Sequence, residues 1–322
     1  MSKFLVTGGA GFIGSHIVEA LVRRKYFVRG LDNFSSGKEK NLEEVIGKIE
    51  LIRADIRDKG VCFKATRNTD FVLHQAALRS VPKSLDNPKE YNEVNIGGTL
   101  NLLEASHENK VKCFAFASSS SVYGEAKRFP EREDDLPRLI SPYALTKLAG
   151  EYYCRVFSNN YGLPCVSLRY FNVFGPRQAL DDEYAVVIPK FITRMLKDEP
   201  PPIYGTGRQS RDFVYIDDVV EANILAVKKC NFSRYSGIPH FAGRGEVFNI
   251  SGGKGYSILA LVKILNRIMN KDIKPIFLSK RPGDVFRTQA DLSRSKRILG
   301  FRPKIDFLEG LNLTVEYFKK NG

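Results

Sequence analysis

The spacing of the glycines behind the first apolar segment constrains the fold of this chain more than any other feature. Lys3–Thr7 is an apolar run of strand length, and Gly8, Gly11 and Gly14 follow it where the helical pattern of Phe12–Arg24 begins. Glycines at this spacing permit a tight turn and let a helix pack closely against the preceding strand. The N-terminus therefore predicts a strand, a tight turn and a helix as the first unit of an alternating α/β fold.

The same alternation continues through the first half of the chain. Short apolar or β-branched runs predict six strands: Lys3–Thr7, Phe27–Asp32, Ile49–Ala54, Phe71–His74, Cys113–Ser118 and Cys165–Tyr170. Apolar stripes at helical spacing lie between them, in Phe12–Arg24, Asn95–Ala105 and Tyr143–Phe157. We expect an α/β fold with a doubly wound, parallel, Rossmann-like sheet.

Beyond Tyr170 prolines and glycines become frequent and the elements become shorter. This change predicts a first domain over residues 1–170 and a smaller C-terminal α/β lobe over residues 171–322. Residues of about 213–229, a strand and an N-capped helix, are expected to return to the first domain. The remaining segments are two amphipathic helices and a polar loop without a predicted role: Ser257–Met269, Leu308–Phe318 and Asn231–Gly245.

Composition and charge exclude several classes of protein. No apolar run approaches the roughly 20 residues of a membrane span, and the first apolar run is too short for a signal peptide, so we expect a cytoplasmic protein. The five cysteines show no CxxC spacing, which indicates neither a disulfide framework nor a metal site. Basic and acidic residues are interspersed, so the net charge of +14 favours an anionic substrate over nucleic acid.

The glycine turn and the end of the second predicted strand together indicate a dinucleotide site. Amides and the positive end of a helix at Gly8–Gly14 suit a pyrophosphate, and Asp32, 18 residues after Gly14, can accept both adenosine ribose hydroxyls. A carboxylate there repels a 2′-phosphate, and Asn33 rather than an arginine follows it, so we predict NAD over NADP. Asp55 and Ile56 are expected to face the adenine. A purely structural turn, with Asp32 as a strand-end cap, is the alternative.

A serine run and a tyrosine–lysine pair provide the candidate chemistry. Ser118–Ser121 ends the fifth predicted strand, and Tyr143 and Lys147 lie four apart, hence on one helical face. A nearby ammonium and the positive nicotinamide would favour the Tyr143 phenolate, which can then accept a proton from a sugar hydroxyl. We predict that Ser119 hydrogen-bonds that oxygen and that Lys147 binds the nicotinamide ribose. Each pattern alone is more often structural, but their occurrence behind a dinucleotide motif favours a catalytic role.

Four motifs carry a resemblance to a known family: TGGAGFIGSH at Thr7–His16, SPYALTK at Ser141–Lys147, LRYFNVFGPRQ at Leu168–Gln178 and RPGD at Arg281–Asp284. With these motifs the chain resembles an extended short-chain dehydrogenase/reductase, and within that group the UDP-hexose 4-epimerases, most of all those acting on UDP-N-acetylglucosamine. The resemblance covers nearly the whole chain. It implies a Rossmann domain, a C-terminal UDP-sugar lobe and a homodimer formed by two helices per subunit, here Lys89–His107 and Tyr143–Asn159.

The resemblance also implies which residues meet the ligands. The NAD site would comprise Gly8, Gly11, Phe12, Ile13, Gly14, Asp32, Asn33, Gly37, Asp55, Ile56, Gln75, Ala76, Ala77, Ser118, Tyr143, Lys147, Tyr170 and Val173. The UDP-sugar site would comprise Arg79, Ser119, Ser120, Ser121, Tyr143, Asn172, Gln178, Val187, Lys190, Tyr204, Arg211, Arg281, Asp284 and Thr288. Among these, Arg211 and Arg281 would grip the diphosphate, because a guanidinium can hold phosphate oxygens with two parallel bonds.

The residues beside Ser119 favour epimerisation over the reactions of sister enzymes. Dehydratases place acidic residues next to the catalytic hydroxyl, and UDP-glucuronate decarboxylases place a glutamate two positions after it, whereas both positions here are Ser120 and Ser121. Without that extra acid or base, neither elimination nor decarboxylation is catalysed, and a bound 4-ketose is expected to be reduced back to the alcohol. We therefore predict a UDP-sugar 4-epimerase that uses NAD and regenerates it.

The sugar itself is predicted from Thr288. Glucose/galactose-specific relatives carry a tyrosine seven positions after the RPGD-type arginine, and Thr288 leaves room for a 2-acetamido group that Ser120, Ser121 and Gln178 could bind. We predict interconversion of UDP-GlcNAc and UDP-GalNAc, with UDP-glucose and UDP-galactose as secondary substrates. Arg79 and Arg177 keep a UDP-glucuronate epimerase or decarboxylase open as the alternative. A catalytically silent NAD-binding regulatory protein is the alternative of another class.

Overall fold

A seven-stranded parallel sheet forms the centre of the computed structural model, which describes residues 1–179, 187–236, 244–280 and 285–321. The strand order is β10-β6-β5-β4-β1-β2-β3. The described strands are β1 (Lys3–Thr7), β2 (Phe27–Asp32), β3 (Glu50–Arg53), β4 (Phe71–His74), β5 (Cys113–Ser119), β6 (Cys165–Tyr170), β7 (Asn172–Phe174), β8 (Pro202–Tyr204), β9 (Ser210–Tyr215), β10 (Arg244–Ile250), β11 (Gly255–Ser257) and β12 (Ile276–Leu278). The predicted Rossmann-like α/β fold is confirmed.

Helices cover both faces of this sheet. The described α-helices are α1 (Phe12–Arg23), α2 (Lys59–Thr66), α3 (Val81–Asp86), α4 (Pro88–Tyr91), α5 (Gly98–Glu108), α6 (Pro142–Asn160), α7 (Val187–Leu196), α8 (Ile216–Ser236), α9 (Ile258–Met269) and α10 (Phe307–Asn321). A π-helical turn, Asn92–Gly97, precedes α5, so the helix predicted from Asn95 begins its regular α-helical part three residues later. In the part of the chain that the structure describes, no helix is both long and apolar enough to cross a membrane.

Successive residues of the central strands enter different cores, as the two-residue period of a strand requires. In β5, Cys113, Ala115 and Ala117 face the core formed with α1 and α8. Phe114 and Phe116 face the opposite core, formed with α2, α5 and α6. Burial of each such phenylalanine contributes about 1.5–3 kcal/mol, so these two side chains hold the layer of α2, α5 and α6 firmly to the sheet.

The chain returns to the large sheet after residue 170. α8 packs against α1, β5 and β6, and β10 pairs in parallel with β6 as the seventh strand. The sequence predicted the return of residues 213–229 but assigned Arg244–Ile250 to the second lobe. It also predicted a loop over Asn231–Gly245, whereas α8 continues to Ser236 and β10 begins at Arg244. The division into 1–170 and 171–322 otherwise stays a prediction.

A second, smaller core lies beside the carboxyl ends of the large sheet. A three-stranded sheet of order β11-β9-β7 and a pair of strands, β12 and β8, carry α7, α9 and α10. Aromatic rings of Phe174, Phe213, Tyr256 and Phe307 stack or meet edge to face in its interior. β7 follows β6 after a single residue, Phe171, so the chain passes directly from the large sheet into the smaller one.

Candidate active site

A cleft of about 900 Å³ opens at the carboxyl ends of the parallel strands, where β1 lies between β2 and β4. The strand order reverses at this point, and open α/β sheets bind their ligands there. Most predicted cofactor residues line it: Gly8, Gly11, Phe12, Ile13, Gly14, Asp32, Asn33, Asp55, Ile56, Gln75, Ala76, Ala77, Ser118, Tyr143, Tyr170 and Val173. Gly37 and Lys147 are not among the lining residues; Lys147 is buried behind the wall of the cleft.

The glycine turn is built as the sequence predicts. Gly8 has a φ of 65° and donates its N–H to Leu31 O at 2.7 Å. A Cβ on Gly14 would lie 1.9 Å from Gly8 O, so a larger residue would push α1 away from the turn. The N-cap of α1, Gly11, makes no side-chain capping bond, which leaves the first N–H groups of the helix available to an anion. This arrangement fits the diphosphate of a dinucleotide.

Asp32 is held rigidly at the end of β2. Ala10 N–H and Phe34 N–H donate to its two carboxylate oxygens at 2.9 and 2.8 Å. A Cβ on Gly37 would lie 2.9 Å from Asp32 Oδ1, so the segment after β2 packs directly on the carboxylate. Asp32 also lines the cleft, and a 2′-phosphate would meet its negative charge. The residues around the adenosine end therefore fit NAD.

Asp55 lines the same end of the cleft in an ion pair. Arg57 Nη2 and Asn33 Nδ2 each donate to its Oδ2 at 2.8 Å. The hydrogen bond from Arg57 lowers the pKa of Asp55 to about 2, so the carboxylate is ionised at any physiological pH. The predicted contact between Asp55 and the adenine amino group stays a prediction.

The structure brings Ser119, Tyr143 and Lys147 together. Ser119 ends β5, and α6 starts at Pro142 with its N-cap Ser141, whose Oγ accepts from Ala144 N at 3.1 Å. This start places Tyr143 at the cleft and Lys147 one turn later on the same face. Ser119 hydrogen-bonds the Tyr143 phenol, and Lys147 Nζ lies 5.9 Å from the centre of the Tyr143 ring.

Burial dominates the titration of this group in the protein itself. It raises the pKa of Tyr143 above its usual range, and the hydrogen bond from Ser119 and the charge of Arg79 oppose this shift. Burial also lowers the pKa of Lys147 to about 7, against the raising effect of Glu151. The predicted phenolate form of Tyr143 depends on the positive nicotinamide as well as on Lys147, so it stays a prediction. The Lys147 ammonium donates to Ala117 O at 2.8 Å.

The hydroxyl of Ser121 is engaged with Ser119 rather than directed at the cleft. Ser121 Oγ and Ser121 N both donate to Ser119 Oγ, at 2.9 and 3.2 Å. Because Ser119 accepts two hydrogen bonds there, its own proton is free to point toward Tyr143 or a substrate oxygen. Neither Ser120 nor Ser121 lines the cleft, so their predicted contacts with the sugar stay predictions.

A buried chain of hydrogen bonds that the sequence analysis missed supports the wall of the cleft. Thr99 donates its hydroxyl proton to Asn95 O, so its oxygen must accept from His74 Nε2, which lies 2.9 Å away. Because the single ring proton of neutral His74 is then on Nε2, Nδ1 accepts from Thr7 Oγ1 at 2.7 Å. Burial lowers the pKa of His74 to about 3, which keeps the ring neutral. Ala76 N–H donates to Thr7 Oγ1 at 3.3 Å, so this chain fixes the backbone beside the glycine turn.

A buried ion pair lies one turn beyond Lys147. Arg169 donates to both carboxylate oxygens of Glu151, at 2.8 and 2.7 Å, and Ser118 Oγ also donates to that carboxylate. Both charged side chains are 4% exposed. The sequence contained a usable signal, because Glu151 continues the four-residue spacing of Tyr143 and Lys147. The pair locks α6 to β6 behind the cleft.

Apart from Gln178, the predicted UDP-sugar residues of the smaller lobe that the structure describes lie outside the lining of the cleft. Asn172 Nδ2 donates to Asp212 O and to Thr288 Oγ1, at 3.0 and 3.3 Å, which makes one buried group of two predicted residues. Lys190 Nζ lies 5.7 Å from the centre of the Tyr204 ring. Val187 is on α7, and Arg211, in β9, donates to Ser210 O at 2.8 Å. Arg281 and Asp284 lie outside the described residues.

Arg79 and Gln178 are the predicted sugar residues, besides Ser119 and Tyr143, that line the cleft. Arg79 is exposed and close enough to Tyr143 for its charge to act on the phenol. Gln178 is 4% exposed and donates Nε2–H to Val173 O at 2.8 Å, which fixes the orientation of its amide. Its buried Oε1 accepts no hydrogen bond within the described part of the chain. The wall of the cleft therefore contains a buried acceptor without a partner among the described residues.

Comparison with known proteins places these features in a family. A family model described as the NAD dependent epimerase/dehydratase family matches residues 4–250. UDP-glucose 4-epimerase of Mycolicibacterium smegmatis is 37% identical over 98% of each chain. The structure of UDP-N-acetylglucosamine 4-epimerase from Methanobrevibacter ruminantium, in complex with UDP-N-acetylmuramic acid, is 41% identical with a TM-score of 0.92, over 100% of this chain and 99% of that one. UDP-glucuronic acid 4-epimerase from Bacillus cereus, with UDP-glucuronic acid and NAD, is 36% identical with a TM-score of 0.89, over 99% and 100%.

Proposed function

Because the chain belongs to the NAD-dependent epimerase/dehydratase family and is a UDP-sugar 4-epimerase by its relatives, we propose that it interconverts UDP-GlcNAc and UDP-GalNAc. UDP-glucose and UDP-galactose are proposed as secondary substrates. The observation that carries this choice of sugar is the unused Oε1 of Gln178 in the wall of the cleft. A buried acceptor without a partner is costly, and the N–H of a 2-acetamido group is a donor that a plain hexose lacks at that carbon.

The proposed reaction starts at the sugar 4-hydroxyl. NAD, when bound, supplies the acceptor for the hydride that leaves C4 and returns it to the other face. Tyr143 accepts the hydroxyl proton, Ser119 hydrogen-bonds the same oxygen, and Lys147 stabilises the phenolate form once the positive nicotinamide is beside it. Return of the proton from Tyr143 to the C4 oxygen, once the hydride is back on C4, gives the epimeric alcohol, so no net oxidation occurs.

The residues beside Ser119 support epimerisation over elimination or decarboxylation. Ser120 and Ser121 stand where the sister enzymes carry an acid, and the Ser121 hydroxyl donates to Ser119. A serine engaged in this way offers no general acid or base to the sugar. The 4-keto sugar then has one outcome, reduction, and its rotation before reduction inverts C4. Firm contacts to UDP from the smaller lobe, proposed for Asn172, Tyr204, Arg211, Arg281 and Asp284, would leave the sugar free to turn.

Thr288 supports the same substrate through its size. Its hydroxyl accepts from Asn172 Nδ2 and lies 3.2 Å from Asp212 N, so the side chain stays beside a proposed diphosphate ligand instead of reaching toward the sugar. A tyrosine at this position could not keep these contacts and would extend into the space nearby. We propose that this difference leaves room for the acetamido group.

Product analysis tests the proposed substrate. The purified protein is incubated separately with UDP-GlcNAc and UDP-glucose, and the epimers are resolved by chromatography. Formation of UDP-GalNAc at a higher kcat/KM than UDP-galactose is expected. Turnover of UDP-glucose alone would rule out the N-acetyl preference. Turnover of neither sugar would leave a UDP-glucuronate enzyme, and the silent NAD-binding protein if UDP-glucuronate is not turned over either.

Two variants test the residues on which the sugar preference depends. Gln178→Leu removes the unused acceptor and is expected to lower kcat/KM for UDP-GlcNAc about tenfold, with a smaller effect on UDP-glucose, as loss of one buried hydrogen bond predicts. Thr288→Tyr should depress the N-acetyl reaction selectively, and Thr288→Ser, which keeps the hydroxyl that accepts from Asn172 and Asp212, serves as its control. Equal loss on both substrates would remove the argument from Thr288.

A uronic acid is the second candidate because Arg79 is an exposed cation in the cleft. Arg177 does not strengthen this candidate, since its guanidinium is paired with Glu19 at 2.6 Å. Turnover of UDP-glucuronate that Arg79→Met abolishes, without turnover of UDP-GlcNAc, would favour it. Release of carbon dioxide would identify the decarboxylase variant.

We also propose that the protein acts as a homodimer. The outer face of α6 carries three exposed apolar side chains at helical spacing: Leu145, Tyr152 and Val156. Such a stripe on a helix that also carries Tyr143 and Lys147 is typical of a buried subunit interface. The cytoplasmic location expected from the sequence stays a prediction.

A further inference from the structure

Arg177 lies in a strained segment at the edge of the cleft. It has a φ of 65°, a left-handed conformation that costs a non-glycine residue energy and that functional segments often retain. The side chain lines the cleft together with its neighbours Pro176 and Gln178. The sequence analysis left this residue as a possible uronate ligand, and the structure gives it other partners.

The guanidinium of Arg177 joins two separate walls of the cleft. On α1, its Nη2 donates to Glu19 Oε2 at 2.6 Å and its Nη1 donates to Ser15 Oγ at 3.3 Å. On the segment after β2, the same Nη1 donates to Asn41 O at 2.8 Å. The Arg177 and Glu19 side chains are only 15% and 11% exposed, so little water competes for the pair.

Each of these walls is itself part of the predicted NAD site. Asn41 Nδ2 donates to Ala10 O at 2.8 Å, and Lys38 N–H donates to the same oxygen at 3.1 Å. These bonds close the segment after β2 over the glycine turn and hold Gly37 against Asp32. The other wall, α1, carries the N-terminal amides that suit the diphosphate.

A second contact fastens the segment of Arg177 to α1. His16 Nε2 lies 3.0 Å from Pro176 O and must donate there, because a carbonyl oxygen only accepts. Burial and the charge of Arg177 lower the pKa of His16 to about 3, so the ring stays neutral with that single proton in place. Pro176 and Arg177 are thus anchored one turn apart along α1, at His16 and Glu19.

We propose that Arg177 is a positioning residue that retains the dinucleotide, by tying α1 and the segment after β2 across the mouth of the cleft. The planar guanidinium can span both walls at once, whereas a lysine ammonium could satisfy one of them. Arg177 acts through Glu19 and Asn41 and does not touch the reacting atoms. This role depends on NAD binding alone, which the family establishes, and holds whichever sugar is turned over.

The rate at which the holoenzyme loses its cofactor tests this role. The protein is loaded with NADH, an excess of NAD is added, and the decay of bound NADH fluorescence is followed. Arg177→Met is expected to raise the dissociation rate about tenfold, and Arg177→Lys to give an intermediate rate. Glu19→Gln should raise the dissociation rate as well. The double variant should lose NADH faster than either single variant, but its fold-increase should be smaller than the product of the two single fold-increases. Arg194→Met, which removes the ion pair between Arg194 of α7 and Glu199 in the segment after it, is the control and should leave the rate unchanged.

Three outcomes separate retention from other roles. Faster dissociation with the KM for the UDP-sugar within about twofold of wild type would support the proposal. A lower thermal midpoint with an unchanged dissociation rate would make Arg177 merely structural, and a raised sugar KM with an unchanged rate would make it a substrate ligand. Either result overturns the proposal. If Arg177→Met does not fold, Arg177→Lys and Glu19→Gln carry the same test.

Discussion

At the scale of single residues, burial decides the protonation of the proposed catalytic groups. It raises the pKa of Tyr143 and lowers that of Lys147 to about 7, so near neutral pH Tyr143 is an uncharged phenol and Lys147 is partly protonated in the protein alone. A phenolate base then depends on positive charge that arrives with the cofactor. We therefore expect Tyr143 to act as a proton acceptor only when the cofactor is bound.

Tyr143→Phe removes the proposed base while keeping the ring. The chemical rate is expected to fall by about two to four orders of magnitude, as loss of a general base predicts, while NAD stays bound. Chromatography of the products measures the fall in rate, and the absorbance of NAD released by denaturation measures whether the cofactor stays bound. Activity close to wild type would assign the proton transfer to another group.

Glu131 gives the protein an unusual pH dependence of stability. Its side chain is 1% exposed, Oε2 accepts from Gln289 N at 2.8 Å, and Oε1 has no partner in the described part of the chain. Burial, with the nearby charge of Asp212, raises its pKa to about 8. The folded state therefore binds this proton more tightly than the unfolded state. The resulting stability is complete below the unfolded pKa near 4.5 and is lost as pH rises toward 8.

Glu131→Gln should remove this dependence. Between pH 5 and 8 the free energy of unfolding of the wild type should fall, relative to the variant, by up to about 1.4 kcal/mol per pH unit. Urea unfolding at both pH values measures the difference. Glu316→Gln, on the exposed face of α10, is the control and should leave the pH profile nearly unchanged. Parallel profiles for wild type and Glu131→Gln would contradict the raised pKa.

At the scale of elements, α6 is the platform of the proposed chemistry. Its first turn presents Tyr143, its second presents Lys147, and its third is locked to β6 by the ion pair of Glu151 and Arg169. Close approach to β5 requires Gly150, because a Cβ there would lie 2.3 Å from Cζ of the Phe116 ring. The distance between α6 and β5 therefore sets the reach of Tyr143 toward Ser119.

Gly150→Ala should disturb this platform. The added methyl group must displace the buried Phe116 ring or α6, at a cost of about 1–3 kcal/mol in the free energy of unfolding. A loss of kcat that exceeds the loss expected from stability alone is predicted, since Tyr143 moves with the helix. Phe116→Leu combined with Gly150→Ala should recover part of both losses by vacating the space. Full activity and stability in Gly150→Ala would show that the close approach of Gly150 to Phe116 does not set the position of α6.

At the scale of the molecule, the cleft and the exposed apolar stripe lie on the same helix, α6. One face of α6 closes the wall of the cleft, and the opposite face carries Leu145, Tyr152 and Val156 in the open. A second subunit on that stripe would hold α6 from outside, so assembly and the geometry of the site are mechanically linked in the proposed dimer.

Tyr152→Glu combined with Leu145→Glu should convert the proposed dimer into a monomer. Two charges on the stripe would be desolvated in the interface, which is costly when they are unpaired. Light scattering coupled to size-exclusion chromatography measures the mass. Leu308→Glu, an equally apolar and exposed site on α10, should keep the wild-type mass. A wild-type protein that is already monomeric would reject the interface.

Local sequence patterns predict the type and position of most described elements, and they predict most of the residues that line the cleft. The strands Lys3–Thr7, Phe27–Asp32, Phe71–His74 and Cys165–Tyr170 were predicted to the residue, because each is a short apolar run between turn signals. The glycine turn, Asp32 and the spacing of Tyr143 and Lys147 are likewise local. Their signals arise from turn geometry and helical period, which need no knowledge of distant contacts.

Only the tertiary structure decided which groups meet across long separations in sequence. The pairing of β10 with β6 depends on distant contacts, such as Arg244 with Cys165 before the observed register shift and Glu246 with Val166 after it, and no local pattern records it. Arg177 likewise meets Glu19 and Asn41 only in the folded chain. Burial raises the pKa of Glu131 in the same way, through neighbours from other elements. The sequence by itself determined the chemistry available at the glycine turn and at Ser119, Tyr143 and Lys147. Desolvation and long-range hydrogen bonds, which exist only in the folded chain, decided how that chemistry is positioned and ionised.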